Sequence, residues 1–290
     1  MRYEQHSAQK DYDKLYYLLK DIGLTESYIS KLRKDSSFLL VNDCPANMRS
    51  KVKTNDIVKI ALDVGSKTEI KHCDIPLDIV YEDDWLLVIN KPPLISSVPN
   101  KSHYDNNLAG AVCKYMENQN PNFVFRILNR LDKDTSGLVI IAKNLYSYNN
   151  IKEIEKVYEA ICHGKIDKKV KINKPILTEV ENNINKMKRV ISPLGKEAIT
   201  FVEPILFNDN YSHVRLKLIH GRTHQIRVHL SSIGNCLVGD IIYGKKSELI
   251  NHTALVCKEL SFIHPKTNKK ISLIANYSES FQNLLEQISR

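Results

Sequence analysis

Apolar residues at Leu15, Leu18, Leu19 and Ile22 recur at the i, i+3, i+4, i+7 spacing of an amphipathic helix, which predicts one over Tyr12–Ile22 with Gly23 as its stop. Thr25 is placed to cap a second helix with Tyr28, Ile29 and Leu32 inward, and that helix also carries Lys31, Arg33 and Lys34. Phe38–Val41 and Ile57–Leu62 read as strands, with Lys53 to Asp56 turning into the second. The first ten residues are polar and are expected to fray. Between Asp63 and Pro76 the period is lost and Gly, Ser, Thr and Lys dominate, as in a linker. The pattern divides the chain into a small unit (1–65), a linker (66–78) and a large unit (79–290). The linker has no periodic apolar surface, so the small unit is expected to be separable.

In the large unit Trp85–Ile89 reads as a buried strand, ended by Lys91-Pro92-Pro93 because proline cannot donate to a ladder. Leu108–Tyr115 looks helical. Gly137–Ala142 is a continuous apolar run rich in β-branched residues, the mark of a strand buried on both faces. A helix is expected between Asn144 and Glu155, then a strand over Lys156–Gly164 with Tyr158 on the same side as Lys156 and Ala160. Residues 165–210 carry little pattern. Val214, Leu216 and Leu218 alternate with Arg215 and Lys217 in a half-buried strand. Arg222–Leu230 predicts a helix with Ile226, Leu230 and Ile233 inward, closed by Gly234, and Phe281–Ile288 a last one.

Composition adds a direction. The 290 residues suffice for a large domain and a small one, and 42 Lys and Arg against 33 Asp and Glu give a formal charge of +9, which favours a polyanionic partner. Six scattered cysteines without a Cys-x-x-Cys pair suit the reduced thiols of a cytoplasmic protein. No apolar run approaches the length of a membrane span.

The candidate chemistry centres on Asp132, a carboxylate at the mouth of the buried Gly137–Ala142 strand. Charge there is costly unless paired, so Asp132 is either a structural partner or a reactive group. A plain turn capped by Asp134 or Ser136 is the alternative. His220, His224 and His229 are spaced four and five apart, but no carboxylate stands beside them and Gly221 interrupts the first interval, so no metal is expected.

Arg130-Leu-Asp-Lys-Asp-Thr-Ser-Gly137 resembles the Arg-Leu-Asp-x-x-Thr-Ser-Gly signature of the RluA/RluD family of pseudouridine synthases. Three further blocks follow in the family's order. They are Tyr81-Glu-Asp-Asp through Asn90-Lys-Pro, Lys156-Val-Tyr-Glu-Ala160, and His220-Gly-Arg-Thr-His-Gln-Ile-Arg-Val-His-Leu230 with Val238-Gly-Asp-x-x-Tyr-Gly244. The departures are Ser96-Ser97-Val98-Pro99 and a later His103 where the family has a His-Pro pair, Asn129 before the arginine, Val256 for a histidine, and a shorter helix after Lys143. The first 65 residues, with two short helices, the second basic, followed by strands, resemble the S4 RNA-binding module.

The resemblance implies an α+β pseudouridine synthase fold, a mixed and largely antiparallel sheet flanked by helices, with a small N-terminal S4-like α/β domain. It implies an isomerase that flips a uridine out of RNA, with Asp132 as nucleophile, Arg227 as its charge partner and Tyr158 stacked on the uracil. Arg130 and Arg222 would hold the opened RNA, and Lys31, Arg33 and Lys34 its phosphates. Ribosomal RNA of the large subunit is the favoured partner, transfer RNA the second. No cofactor, metal or membrane is implied, and the protein is expected to act as a monomer. Two other readings stay open: a glycoside- or nucleoside-cleaving hydrolase, which needs a second carboxylate that Asp134 is poorly placed to supply, and a non-catalytic S4-type RNA-binding protein.

Overall fold

The apolar stripe over residues 12–22 is buried as expected. In a computed structural model describing residues 1–65, 69–100, 105–181 and 186–289, Leu15, Leu18 and Leu19 are inaccessible, although regular helix begins only at Leu15. The small unit runs β1 (Tyr3–Ser7), α1 (Leu15–Asp21), α2 (Glu26–Leu32), β2 (Leu39–Val41), β3 (Cys44–Pro45) and β4 (Ile57–Ala61). Thr25 caps α2 by accepting the Tyr28 N–H, and Gly23 takes the left-handed φ of +86° that ends α1. One expectation fails at once. The first residues are not frayed: Tyr3–Ser7 pairs antiparallel with Ile57–Ala61, giving a sheet of order β1-β4-β2-β3. Its residues are polar because only Glu4 of the five turns fully inward, and Glu4 pairs there with Lys266.

The large unit follows with β5 (Ile79–Glu82), β6 (Leu86–Lys91), α3 (Leu108–Glu117), β7 (Ser136–Ala142), α4 (Leu145–Asn150), β8 (Lys152–His163), β9 (Val170–Asn173), β10 (Ile176–Glu181), β11 (Lys186–Ile191), β12 (Ile199–Phe207), β13 (Tyr211–Leu218), α5 (Gln225–Ser231), β14 (Leu255–Ile263), β15 (Lys270–Ile274) and α6 (Glu279–Ile288). Among the described residues the central sheet has the order β5-β6-β7-β14-β8-β13-β12-β9, with β15 added on β14, and only β7 and β14 are parallel. It is a mixed, mostly antiparallel sheet flanked by helices. Every residue of β7 is buried, as its unbroken apolar run demands. Gly137 makes the β7 to β14 approach possible: its φ is +109°, and a Cβ there would lie 2.3 Å from the Cys257 carbonyl oxygen.

Three boundaries differ from expectation. The helix expected to reach Glu155 ends at Asn150, and Lys152–Glu155 are already the start of β8, where Glu155 and Lys152 pair with Ser261 and Ile263 of β14. The low-pattern residues hold β9, the β10–β11 hairpin and β12, because short strands with one exposed face give little period. The expected linker is not free. Asp63 pairs with Arg2, Val64 and Cys73 are buried, and the Lys71 carbonyl lies so close to α3 that a Cβ on Gly110 would stand 2.3 Å from it. Leu145 and Tyr146 of α4 complete the apolar core of the small unit, and the Leu145 N–H donates to the Leu62 carbonyl. Cutting after residue 65 would therefore bare both side chains.

Candidate active site

Asp132 stands on the turn before β7, and several side chains fix that turn. The Asn129 amide donates to the Leu138 carbonyl at 2.9 Å and accepts the Ile140 N–H at 2.7 Å, tying the strand's approach to the strand. Ser97 Oγ donates to the Leu131 carbonyl at 2.7 Å and accepts the Leu131 N–H at 3.2 Å. The ammonium of Lys91, wholly buried, reaches the carbonyls of Pro92, Ile95 and Lys133 at 2.8, 2.8 and 3.2 Å. Burial pulls Lys91 down to about 7, against the pull of Asp134 and Asp132 upward. The Asp132 carbonyl closes the turn by accepting the Thr135 N–H. So the backbone on both sides of Asp132 is held, while its carboxylate, 28% exposed, points at an open cavity of about 960 Å³.

Across that cavity lies α5. Its first turn begins at Gln225 rather than Arg222, because His224 takes a left-handed φ of +55°. That bend brings His224 Nε2 within 3.7 Å of Asp132 Oδ2, and Arg227 Nη1 within 3.9 Å of the same oxygen. Arg227 is not chiefly the partner of Asp132. Its Nε and Nη2 donate to Asp240, both at 2.7 Å, in a fork with Arg227 2% exposed and Asp240 fully buried. Asp240 also accepts the backbone N–H groups of Ile242 and Tyr243. Burial pushes the Asp240 carboxyl up, but these bonds and the guanidinium outweigh it and hold it below the ordinary carboxylate value. The Arg227 guanidinium sits 5.4 Å from the centre of the Tyr243 ring.

Tyr243 also orients His224. Its Oη accepts the Arg189 N–H at 3.1 Å and lies 2.9 Å from His224 Nδ1. Asp132, an acceptor-only carboxylate opposite Nε2, favours the imidazole proton on that nitrogen, and the Tyr243 phenol then donates to Nδ1. Burial holds His224 below its ordinary value, with Asp132 raising it and Arg227 lowering it further. Tyr158 closes the cavity from β8, 7% exposed, and burial drives its phenol well above the ordinary value with Cys257 and Asp132 adding to the effect. Tyr158 is therefore a neutral phenol.

Arg130 and Arg222 stand exposed on the rim, Arg222 with Nε donating to the Glu197 carbonyl at 3.2 Å. Lys31, Arg33 and Lys34 do not reach this cavity. Lys31 and Lys34 line a second one, and Arg33 lies outside its lining. His103 falls outside the described residues. The three histidines weighed as metal ligands diverge: His220 faces Glu197, His224 faces Asp132, and buried His229 is bonded to Thr200 and the Lys174 carbonyl.

The sequence profile of the RNA pseudouridylate synthase family matches residues 85–232. The chain belongs to this family of RNA pseudouridine synthases. It is 30% identical over 275 residues to the RNA pseudouridine synthase YjbO of Bacillus subtilis, covering 92% of this chain and 96% of that one. It is 32% identical over 257 residues to the ribosomal large subunit pseudouridine synthase D of Zymomonas mobilis, covering 82% and 81%. The structure of human RNA pseudouridylate synthase domain containing 4 has the same fold, with a TM-score of 0.58 over 73% of this chain and 92% of that one at 20% identity. The enzyme is thus an isomerase of the pseudouridine synthase class. Among the described residues no helix is long and apolar enough to cross a membrane.

Four residues of the synthase's site were missed in the sequence. Asp240 and Tyr243 lay inside the Val238-Gly-Asp-x-x-Tyr block and could have been matched to the one buried arginine of α5 on charge grounds. Lys91 lay in the Asn-Lys-Pro ending, where a lysine in a fully apolar strand signals carbonyl acceptors nearby. Ser97, which stands in the segment that replaces the family's His-Pro pair, left no signal.

Proposed function

We propose that this synthase isomerises specific uridines of RNA, in the large ribosomal subunit before transfer RNA, with Asp132 as nucleophile. The observation that carries the reading is Asp132 itself, its backbone clamped on both sides and its carboxylate open to a cavity shared with Arg227 and Tyr158. In this reading a uridine is flipped into the cavity while Arg130 and Arg222, on the rim, fill the gap or hold its phosphates. Asp132 forms one covalent bond, either to ribose C1′ with release of N1 or to C6 of the uracil ring. By either route the N1–C1′ bond breaks, the uracil turns, C5 bonds to C1′, the bond to Asp132 breaks, the C5 proton leaves and N1 gains one. Product and substrate are isomers, so the scheme calls on no cofactor and no group donor.

Arg227 sets a positive charge 3.9 Å from Asp132 without locking it, because its fork is spent on Asp240. Tyr158 stacks on the uracil near C5 and, as a neutral phenol, can take the departing proton only by passing on its own. Residues 1–65 serve in this reading as an S4-like RNA-binding domain, 66–78 as the connection, and 79–290 as the catalytic domain of a cytoplasmic monomer. The ribosomal preference rests on relatives named for that RNA.

Cellular RNA made with tritium at uracil C5 tests the proposal. Incubation with the protein should release tritium to water, one for each pseudouridine formed. Release of free uracil would instead make the protein a hydrolase, and RNA binding with no release would make it a non-catalytic binder. Mapping the sites formed then separates ribosomal from transfer RNA.

A further inference from the structure

A second cavity, of about 930 Å³, opens where α2 and the small sheet meet the segment before β7. Its walls are of two kinds. Phe38, Phe125 and Tyr148 give aromatic surface, and Lys31 and Lys34 stand at its edge with no ion pair among the described residues. Asp35, the carboxylate on that edge, is spent on the N–H and hydroxyl of Ser37. Arg126 forms a wall, with its guanidinium tied to the Val124 and Val64 carbonyls at 3.0 Å each. The cavity adjoins the one at Asp132, and Val98 and Ile127 line both.

We propose that this cavity binds unpaired nucleotides of the RNA strand that carries the target uridine. This rests on the RNA reading above and adds a track to it. Aromatic faces take bases of any sequence, and two lysines without carboxylate partners neutralise the phosphates between them. The volume lies in the ~300–1,000 Å³ range of formed ligand pockets and admits a nucleotide. A strand whose uridine enters the Asp132 cavity needs to pass only Val98 and Ile127 to reach it. Such a path requires the flank of the target to be single-stranded, so the substrate is a loop or bulge and not a continuous duplex. An apolar peptide would fit the aromatic walls but leaves the two lysines without a counter-charge.

The test is fluorescence anisotropy with labelled oligouridines of about 4 and about 12 nucleotides, the range of single-strand site sizes. The full chain should bind the longer one more tightly. Lys31→Glu with Lys34→Glu should weaken binding of the longer oligomer by about tenfold and flatten its salt dependence, and Tyr148→Ala should weaken it by about fivefold. The shorter oligomer should change by less than about twofold, and so should both oligomers with Lys51→Glu, an exposed charge elsewhere on the small unit. Tyr148 is 44% exposed, so its loss does not endanger the fold. Equal losses for both lengths, no loss for the longer one, or an unaltered protein indifferent to length would overturn the proposal and leave the cavity to a polypeptide. Since binding is the readout, failure to release tritium would count against the reaction alone.

Discussion

Two carboxylates share Arg227, and the cavity holds them in opposite ways. Beneath the floor, behind Arg227, Asp240 is fully buried, forked onto the guanidinium at 2.7 Å twice and bonded to two backbone N–H groups. On the rim Asp132 lies 3.9 Å from the same arginine and keeps 28% of its side chain exposed. A fork in a dry site fixes the position of the positive charge, whereas a charge at 3.9 Å stabilises an anion without filling its lone pairs. The floor therefore supplies stability and field, and the rim supplies an oxygen still free to form a bond. Had Arg227 forked onto Asp132, attack would have required breaking two strong hydrogen bonds.

The largest expected effect separates the two. Asp132→Asn should lower turnover by about three orders of magnitude or more, with RNA affinity within a few-fold and little loss of folding stability, because the lost ion pair is loose and partly solvated. Asp240→Asn should do the reverse in kind. It strands a buried guanidinium and should cost about 3–5 kcal/mol of stability, and Arg227→Ala should cost as much by stranding Asp240. Thermal melts and single-turnover assays of the three variants decide it. Equal losses of stability for Asp132→Asn and Asp240→Asn would erase the distinction between floor and rim.

Asp132 was legible from the sequence because a charged turn runs straight into β7, whose run from Gly137 to Ala142 is apolar enough to declare itself buried. Arg227 was legible only as a charge near Asp132, and its stronger partner was not. Asp240 is thirteen residues on, past the end of α5, and only the packing of the loop onto the helix shows that it turns back. The elements with full helical or strand periods emerged from the sequence, α2, α3 and β6 within two residues of their true bounds and α1 and β13 within three. β1 did not, since a strand with one inward residue in five reads as polar coil. The docked connection after Ala61 was opaque for a similar reason: its contacts are single residues, Val64 and Cys73, against carbonyls and α3, without period.

The clamp behind the rim offers a smaller effect. Lys91→Met removes the donor shared by the Pro92, Ile95 and Lys133 carbonyls and should cost about 2 kcal/mol, with a drop in kcat as the Asp132 turn loosens. Its pH dependence carries a sign. The folded value is about 7 against an ordinary 10.5, so between these the unfolded chain holds more protons and the native protein gains stability as pH rises. The gap in melting temperature between the native protein and Lys91→Met should widen from about pH 7 to about pH 9. A gap that stays constant over that window would mean that three carbonyls and two carboxylates outweigh burial and keep Lys91 an ammonium.

The smallest effect belongs to His224, the rim's second neighbour. It faces Asp132 through Nε2 and Tyr243 through Nδ1, with Arg227, Arg189 and Asp240 the other charges acting on it. Because burial lowers its folded value below the ordinary 6.5, the unfolded chain binds more protons just below pH 6.5, and stability falls as pH drops through that window. The native protein should thus lose more melting temperature between about pH 7 and about pH 5 than His224→Gln does. His6, His163, His229 and His252, lowered in the same way by burial, are common to both proteins and cancel in the difference. Near neutral pH the imidazole is uncharged and adds a proton facing Asp132 but no charge, so kcat should fall by only about two- to tenfold in His224→Gln. A native protein that loses less on acidification than His224→Gln, or a loss of turnover as deep as that of Asp132→Asn, would show that His224 holds the carboxylate as a charged partner and that the rim is not loose after all.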